Sequence, residues 1–153
     1  MTVESSLCVI TDDDRILLLK KATGIGKDKW YPTGGKMRPE ETPGTGVARE
    51  VYEETGLRVT NLRHHGEVVC YFGHDTPPVW AVQIFSTSDF SGSLKESSEG
   101  VLKWFPLSEI PYDEMWHDDR YWLPLLLEGR DLDGAFYFNE DGSRLLDFRL
   151  STR

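Results

Sequence analysis

The segment Gly35–Leu57 limits the fold of this chain more than any other feature of its sequence. Thr42 followed by Pro43 is typical of a helix start, because the threonine hydroxyl can cap the first turn and proline suits its first position. Gly56 is typical of a helix end, since glycine readily adopts the left-handed backbone found there. The segment therefore predicts one helix that starts at Pro43 and runs to Thr55.

The predicted helix carries acidic side chains on one face. Glu50 lies three residues before Glu53 and four before Glu54, so helical periodicity places all three together. Like charges at this spacing destabilise an isolated helix and need a compensating partner. Arg49 lies four residues before Glu53 and can pair with it.

Around the helix, short apolar runs alternate with turns rich in glycine, proline and aspartate, which is typical of β-strands. The predicted strands are Ser6–Ile10, Arg15–Lys20, Leu57–Asn61, Glu67–Phe72, Val79–Ser86, Val101–Phe105, Ala135–Asn139 and Leu145–Leu150. The other predicted segments are the irregular Trp30–Gly35, the turn Gly73–Pro78, the surface loop Thr87–Gly100, the helical turn Leu107–Ile110 and the helix Asp118–Glu128. The sum is a single α+β domain over residues 1–153, a mixed sheet with helices packed on it.

The composition narrows the class of protein. The chain has 153 residues, enough for one domain with its own hydrophobic core. Its 26 acidic and 17 basic residues give a net charge of -9, which argues against long nucleic acid as a partner. A small phosphorylated substrate is compatible with this charge if a divalent cation offsets the repulsion.

Nothing in the sequence indicates export or a membrane. Met1–Ser6 lacks the basic and long apolar regions of a signal peptide, and no apolar run approaches the roughly 20 residues that span a bilayer. The two cysteines, Cys8 and Cys70, lie in apolar runs and are predicted to be buried thiols, while His64 and His65 are predicted to lie on the surface. We expect a cytoplasmic monomer without a membrane partner.

The acidic helix has two interpretations. Its glutamates could form a solvated surface without function, but this would leave Gly34, Gly35 and Arg49 unexplained. Clustered carboxylate oxygens also suit a hard cation such as Mg²⁺, which shares its ligands with substrate phosphates. Adjacent glycines allow a backbone carbonyl to approach a metal or a phosphate closely. The metal-binding interpretation is favoured because it accounts for all of these residues.

The same segment resembles the Nudix box, Gly-x5-Glu-x7-Arg-Glu-apolar-x-Glu-Glu-x-Gly-apolar. Its nine constrained positions are all matched, by Gly35, Glu41, Arg49, Glu50, Val51, Glu53, Glu54, Gly56 and Leu57. The resemblance implies the Nudix fold, a mixed β-sheet with flanking helices in an α/β/α sandwich. It also implies hydrolysis of a diphosphate linkage with Mg²⁺, or alternatively Mn²⁺, as the cofactor.

The resemblance further implies a role for each residue of the acidic helix. Glu50 and Glu54 would bind the metal beside the carbonyl of Gly34. Glu53 would also bind it or orient the attacking water, and Arg49 would hold the glutamates in place. The metal would polarise phosphoryl oxygens and activate water for in-line attack at phosphorus.

Several residues outside the helix are candidates for the same site. Glu41 would support the box structurally. Lys21 and Lys36 could meet phosphate oxygens, although each could equally be a solvated lysine. Glu99 lies in the polar loop where such enzymes keep an additional base or metal ligand, and Glu96 competes with it for that role.

The second half of the chain resembles the vertebrate-type 8-oxo-dGTP diphosphatases, which hydrolyse oxidised purine nucleoside triphosphates. The matching stretches are Trp104-Phe105, Met115–Asp119, Tyr121–Leu127, Gly134–Phe138 and Leu146-Asp147. The resemblance implies that Trp116 stacks on a purine, while Asp118 and Asp119 read its edge, one of them protonated by its apolar surroundings. On the residues alone, Trp116 could instead belong to the core, and the aspartates could cap the next helix.

Three positions depart from that family. Tyr31 stands where the family has a base-recognising asparagine, and a phenol cannot reproduce the donor–acceptor pair of an amide. Thr33 replaces an apolar residue, and Cys70 replaces a pocket aromatic. These changes bear on the preferred base more than on nucleotide binding, so another purine or a modified nucleoside triphosphate is compatible with the sequence.

Two other functions fit the motif. A Nudix pyrophosphatase of nucleotide sugars, dinucleoside polyphosphates or ADP-ribose would use the same box, although ADP-ribose enzymes usually carry a proline where this chain has Phe72. A domain that binds a nucleotide without cleaving it is the other alternative. The intact Glu50, Glu53 and Glu54 argue against it, because a binding module needs no such metal array.

Overall fold

The structure is a computed structural model that describes residues 2–73 and 77–153. Its strands, in chain order, are β1 (Val3–Asp12), β2 (Arg15–Lys21), β3 (Trp30–Tyr31), β4 (Thr33–Lys36), β5 (Arg58–Thr60), β6 (Arg63–Phe72), β7 (Trp80–Thr87), β8 (Asp89–Ser91), β9 (Gly100–Pro106), β10 (Leu132–Phe138) and β11 (Leu145–Thr152). The helices are α1 (Pro43–Thr55) and α2 (Asp119–Leu127), and short 3₁₀ turns lie at Leu107–Glu109 and Tyr112–Glu114. None of the described helices is long and apolar enough to cross a membrane.

The strands form a mixed sheet around β1. This strand runs parallel to β7, from Val3 opposite Trp80 to Ile10 opposite Thr87, and antiparallel to β2 and β4. On the far side of β7, β6 pairs antiparallel with β7 and parallel with β10, and β11 lies at the edge. β1 begins at Val3 rather than at the predicted Ser6, because its first residues pair with β7.

Each face of the sheet is covered by a helix. Neighbouring residues of a strand point to opposite faces, so β1 and β2 contribute to two separate apolar clusters. The cluster under α1 contains Cys8, Ile10, Leu17, Val47, Val51 and Phe85. The cluster under α2 contains Val9, Ile16, Leu18, Val68, Trp122, Leu123 and Phe136. This layering confirms the predicted α+β class with a mixed sheet between flanking helices.

Two predictions of irregular structure were wrong. Trp30–Gly35 forms β3 and most of β4, and Thr87–Gly100 includes β8, which pairs with β5. These strands are short, and their glycine- and serine-rich surroundings lack the apolar alternation that predicts a strand. Of the predicted turn Gly73–Pro78, residues 74–76 lie outside the described residues.

The prediction that His65 lies on the surface was also wrong. His65 is 1% exposed, and its Nδ1 lies 2.8 Å from the Arg130 carbonyl oxygen while its Nε2 lies 2.6 Å from Ser86 Oγ. A carbonyl can only accept, so a neutral ring donates from Nδ1 and accepts from the Ser86 hydroxyl at Nε2. His64 is exposed as predicted, and Cys8 and Cys70 are buried free thiols as predicted.

Candidate active site

Helix α1 has the predicted boundaries. Thr42 Oγ1 accepts a hydrogen bond from the backbone N–H of Thr45 at 3.3 Å, and Pro43 occupies the first turn. At the other end, Gly56 has a left-handed backbone (φ 80°), and its N–H donates to the Tyr52 carbonyl. These caps hold the glutamates of α1 at a defined position beside β4.

Arg49 offsets part of the negative charge on the acidic face of α1. Its Nε and Nη2 donate to the two carboxylate oxygens of Glu41 at 2.6 and 2.9 Å. Its Nη1 donates to Glu50 at 3.0 Å and to Glu53 at 3.1 Å, so the predicted pair with Glu53 is present. The Arg49 side chain and the backbone N–H of Arg38 lower the pKa of Glu41 to about 2. Arg49 thus provides the compensating charge that the like-charged helix face requires.

Glu50 and Glu54 lie against the glycine pair of β4. The Gly34 N–H donates to Glu54 Oε1 at 2.9 Å. An added Cβ at Gly35 would lie 2.6 Å from Glu50 Oε2, so only glycine allows this carboxylate to approach the strand. Burial raises the pKa of Glu54 to about 8, with further increases from the charges of Glu50 and Glu99, although the Gly34 hydrogen bond opposes them.

Glu53 does not share the environment of the other two glutamates. Residues of an α-helix are about 100° apart around its axis, so Glu54 lies about 40° from Glu50 but about 100° from Glu53. The Glu53 side chain is 48% exposed and is held outward by Arg49. The predicted single face is therefore split, with Glu50 and Glu54 turned inward and Glu53 at the rim.

The donor set suits a hard divalent cation. The Glu54 carboxyl is buried and lies near the negative charges of Glu50 and Glu99. A bound cation would offset this repulsion and favour the ionised form of Glu54. Among residues 2–73 and 77–153, no three His, Cys, Asp or Glu side chains already converge in a group that could hold a metal ion. Mg²⁺ is commonly bound through one or two carboxylates together with substrate phosphates, so two inward carboxylates fit it.

A cavity of about 670 Å³ joins this acidic end to the second half of the chain. The predicted site residues that line it are Lys21, Tyr31, Gly34, Lys36, Glu50, Glu54, Glu99, Trp116, Asp118 and Asp119. Arg49 and Glu53 are not among the lining residues, and neither is Glu96, which is exposed. The cavity has the size of a pocket for a nucleotide-sized ligand.

The far end of the cavity is aromatic and acidic. Trp116 lies in a group of rings, with its centroid 5.7 Å from Trp80 and 6.0 Å from Phe138. Asp118 and Asp119 are 7% and 4% exposed, and Trp122 Nε1 donates to Asp118 Oδ2 at 3.0 Å. Asp118 occupies the N-cap position of α2, but its side chain makes no capping hydrogen bond.

The carboxyls of Asp118 and Asp119 are both destabilised in their charged form. Burial is the main cause of the raised pKa of each, and the charge of Asp118 raises the pKa of Asp119 further. A raised pKa favours the protonated form, and a protonated carboxyl can donate as well as accept a hydrogen bond. The pair can therefore meet both donors and acceptors on a ligand edge.

Lys21 and Tyr31 connect the cavity wall to the loop between β2 and β3. Lys21 Nζ donates to the Ile25 carbonyl at 3.2 Å, and its charge lowers the pKa of Glu54. The Tyr31 hydroxyl donates to the same carbonyl at 3.4 Å. Lys36 is exposed at the acidic end.

Part of the cavity wall was not predicted from the sequence. Trp80 and Phe138 line it, and the Lys29 ammonium lies 5.5 Å from the centre of the Trp116 ring. Trp80 belongs to a row with Val82 and Ile84 on alternate positions of β7. The period of two along this strand is the signal that could have identified the row as one wall.

Comparisons with known proteins identify the family. The NUDIX domain family model matches residues 1–126. The chain is 37% identical over 145 residues to the oxidized purine nucleoside triphosphate hydrolase of Mus musculus, covering 95% of this chain and 92% of that protein. It is 35% identical over 133 residues to the protein of the same name from Danio rerio, covering 87% and 85%.

A solved structure agrees with this assignment. The MutT protein from Bacillus halodurans superposes with a TM-score of 0.85 at 30% sequence identity, and the match covers 97% of both chains. Nudix hydrolases generally use divalent metal ions such as Mg²⁺ and act on small nucleotide substrates. The family match, the two relatives and the shared fold together show that this chain belongs to the Nudix hydrolase family.

Proposed function

We propose that this enzyme hydrolyses purine nucleoside triphosphates, including oxidised ones such as 8-oxo-dGTP, to the monophosphate and pyrophosphate. The observation that carries the proposal is the single cavity that joins two inward carboxylates at one end to Trp116 and the aspartate pair at the other. The names of the mouse and zebrafish relatives support the same substrate class. Such an activity would remove damaged nucleotides from the precursor pool.

The acidic end would hold the phosphate chain. Glu50 and Glu54, with the Gly34 carbonyl beside them, would bind Mg²⁺ or alternatively Mn²⁺, which supplies charge neutralisation and activation of water when bound. Glu99 faces the same space and can take a proton from the attacking water. Lys21 and Lys36 would meet phosphate oxygens, and Glu53 at the rim would orient the attacking water.

The aromatic end would hold the base. Trp116 offers a half-buried ring for stacking, and Asp118 and Asp119 offer carboxyls with raised pKa values to the base edge. A purine in which oxidation exchanges an acceptor for a donor can be matched by carboxyls that differ in protonation. The aspartate pair is therefore the group that we propose to select the base.

Of the three positions that depart from the 8-oxo-dGTP diphosphatases, two line the cavity and one does not. Tyr31 and Cys70 both line the cavity, whereas Thr33 is 1% exposed and is not a lining residue. A phenol and a thiol in the wall give a differently shaped base pocket with fewer polar contacts. We accordingly expect a range of purine triphosphates as substrates rather than 8-oxo-dGTP alone.

A substrate panel tests the proposal. Normal and oxidised nucleoside triphosphates, ADP-ribose and diadenosine polyphosphates should be compared with Mg²⁺ and with Mn²⁺. Purine triphosphates should give the monophosphate and pyrophosphate with the highest kcat/KM. Release of orthophosphate alone, or faster cleavage of ADP-ribose or a dinucleotide, would contradict the proposal.

The two buried free thiols suit the reducing cytoplasm, which is where we propose that the enzyme acts.

One variant tests the base end separately. Asp118→Asn keeps an oxygen that can accept from Trp122 but cannot ionise, so it should change the ratio of kcat/KM between purine triphosphates more than kcat itself. Asp113→Asn is a matched control, because the Asp113 side chain is 97% exposed. An unchanged preference among bases in Asp118→Asn would remove this residue from the base site.

A further inference from the structure

We propose that Gly26 is a specificity-determining position, because its missing side chain lets the loop Ala22–Lys29 close the base end of the cavity against Trp116 and Tyr31. The inference rests on the proposed function in one respect, namely that this end of the cavity holds a nucleobase. Gly26 itself would touch no substrate and would act by positioning the two rings.

Contact distances at Gly26 carry the proposal. A Cβ added to Gly26 would lie 3.0 Å from Trp116 Nε1 and 3.0 Å from the Tyr31 hydroxyl oxygen, with Tyr31 Cε1 at 3.4 Å. Such distances are shorter than ordinary van der Waals contact, so a side chain could enter only if one of the rings moved. Both rings line the cavity, and any such movement would change its shape.

The loop is held in place and cannot easily withdraw from the rings. Within it, the Lys29 N–H donates to the Gly26 carbonyl at 2.9 Å, and the Asp28 N–H donates to the Lys21 carbonyl at 2.8 Å. Lys21 Nζ and the Tyr31 hydroxyl both donate to the Ile25 carbonyl, which lies immediately before Gly26. These bonds favour movement of Trp116 or Tyr31 over movement of the backbone at Gly26.

The expected effect is confined to the base. Glu50 and Glu54 are placed by Arg49 and by β4, so a shift of Trp116 leaves the acidic end unchanged. A displaced stacking ring weakens base binding, whereas the chemistry at the phosphate chain continues at its normal rate. Binding and KM should therefore change more than kcat.

Gly24 provides a matched control two residues away. Gly24 and Gly26 have nearly the same backbone, with φ of +79° and +82°, so alanine is strained to a similar degree at both positions. A Cβ at Gly24 would meet only the flexible side chain of Lys21, at 3.8 Å. Any difference between Gly24→Ala and Gly26→Ala therefore reports the contact with Trp116 and Tyr31.

The experiment compares wild type, Gly24→Ala, Gly26→Ala and the double variant Gly26→Ala/Tyr31→Phe. Dissociation constants for AMP, GMP and CMP are measured by calorimetry, together with kcat and KM for the best triphosphate. Gly26→Ala should lose about tenfold in purine monophosphate affinity relative to Gly24→Ala, with kcat within about threefold. Removing the Tyr31 hydroxyl should restore part of that loss, because the phenol oxygen is one of the two atoms at 3.0 Å.

Three outcomes would overturn the inference. These are equal purine affinity in Gly24→Ala and Gly26→Ala, an equal loss for CMP and for the purines, and a double variant that binds no better than Gly26→Ala. If Gly26→Ala does not fold, the double variant is compared directly with Tyr31→Phe. A wild-type protein that binds purine monophosphates but cleaves no triphosphate contradicts the proposed function while leaving the Gly26 comparison valid.

Discussion

Glu54 combines burial, negative neighbours and a backbone hydrogen bond in one residue. Glu54 is 8% exposed, and the Gly34 N–H donates a hydrogen bond to its carboxylate. Burial is the main cause of its raised pKa, and the charges of Glu50 and Glu99 raise the pKa further. Burial and the two negative neighbours disfavour the ionised carboxyl, whereas the Gly34 hydrogen bond favours it. A strongly shifted pKa in a cavity is typical of a residue in a functional site.

Glu54→Gln should lower kcat by at least about a hundredfold, because a group that stabilises charge in the transition state would be lost. Addition of Mg²⁺ should raise the Tm of wild type more than that of the variant, since a ligand stabilises the folded state only where it binds. Glu40→Gln is the control, because Glu40 is exposed on the loop before α1. Near-normal turnover in Glu54→Gln would exclude a catalytic role.

The aspartate pair makes stability depend on pH. Burial raises the pKa of Asp118 from 3.8 to about 6 and raises that of Asp119 as well, so the folded state resists ionisation more than the unfolded chain does. The contribution of each group to stability is fully present below its unfolded pKa and is lost as the pH rises through the folded value.

We therefore expect the double variant Asp118→Asn/Asp119→Asn to gain Tm relative to wild type as the pH rises from about 4 to about 8. The variant has no carboxyl to ionise at these positions, so the buried-charge penalty is absent. Thermal unfolding across the pH range measures the difference. A constant difference between the two proteins would mean that the pair is not destabilised in its charged form.

At the scale of elements, helix α1 was predictable because every signal for it is local. The cap at Thr42, the stop at Gly56 and the spacing of the glutamates act within the segment itself. The outward position of Glu53 also follows from helix geometry, once Arg49 is recognised as its partner. The sequence of this segment does not indicate which strand the helix packs against.

Strands were predictable only where both composition and alternation were strong. β8 depends on backbone pairing with β5, and the two segments are far apart in the chain. His65 was misassigned because adjacent polar residues suggest a surface, yet neighbouring residues of a strand point to opposite faces, so His65 is buried while His64 is exposed. The Arg130 carbonyl and Ser86 that satisfy its ring come from other elements.

Buried His65 also makes the stability of the folded protein depend on pH, with a sign opposite to that of the aspartate pair. Burial lowers its pKa, although the hydrogen bond to Arg130 opposes this effect. Its contribution to stability is present above the ordinary histidine pKa of 6.5 and is lost as the pH falls below that value.

His65→Gln, which keeps polar atoms but cannot be protonated, should lose less stability than wild type between about pH 7 and pH 5. His64→Gln is the control, because His64 is the exposed neighbour. Urea unfolding at each pH gives the free energies. If His64→Gln and His65→Gln behaved alike, burial of His65 would not explain the pH dependence.

At the scale of the whole molecule, convergence of distant segments was beyond prediction from residue patterns alone. Trp116 and Asp118 are distant from Glu50 in the chain, and only the tertiary fold brings all three to the same cavity. Resemblance to a family supplied both ends of the site in advance. It could not supply Lys29 or the proposed role of Gly26, because both depend on where Trp116 lies in the fold.

The net charge of -9 disfavours self-association of the protein. Like-charged molecules repel, so we expect a monomer with a mass near 17.5 kDa by light scattering after gel filtration. The mass should stay the same with and without Mg²⁺ at physiological salt. A value near twice this mass at micromolar concentration would show that the enzyme is a dimer.

The ionic contacts of Arg49 have a practical consequence for handling the enzyme. Because Arg49 already forms ion pairs with Glu41, Glu50 and Glu53, we expect the helix to remain folded without a bound metal ion. Chelator-treated protein should therefore be a reversible resting form with an intact far-ultraviolet circular dichroism spectrum. Dialysis against EDTA can precede any metal titration, and activity should return within the mixing time once a divalent ion is supplied.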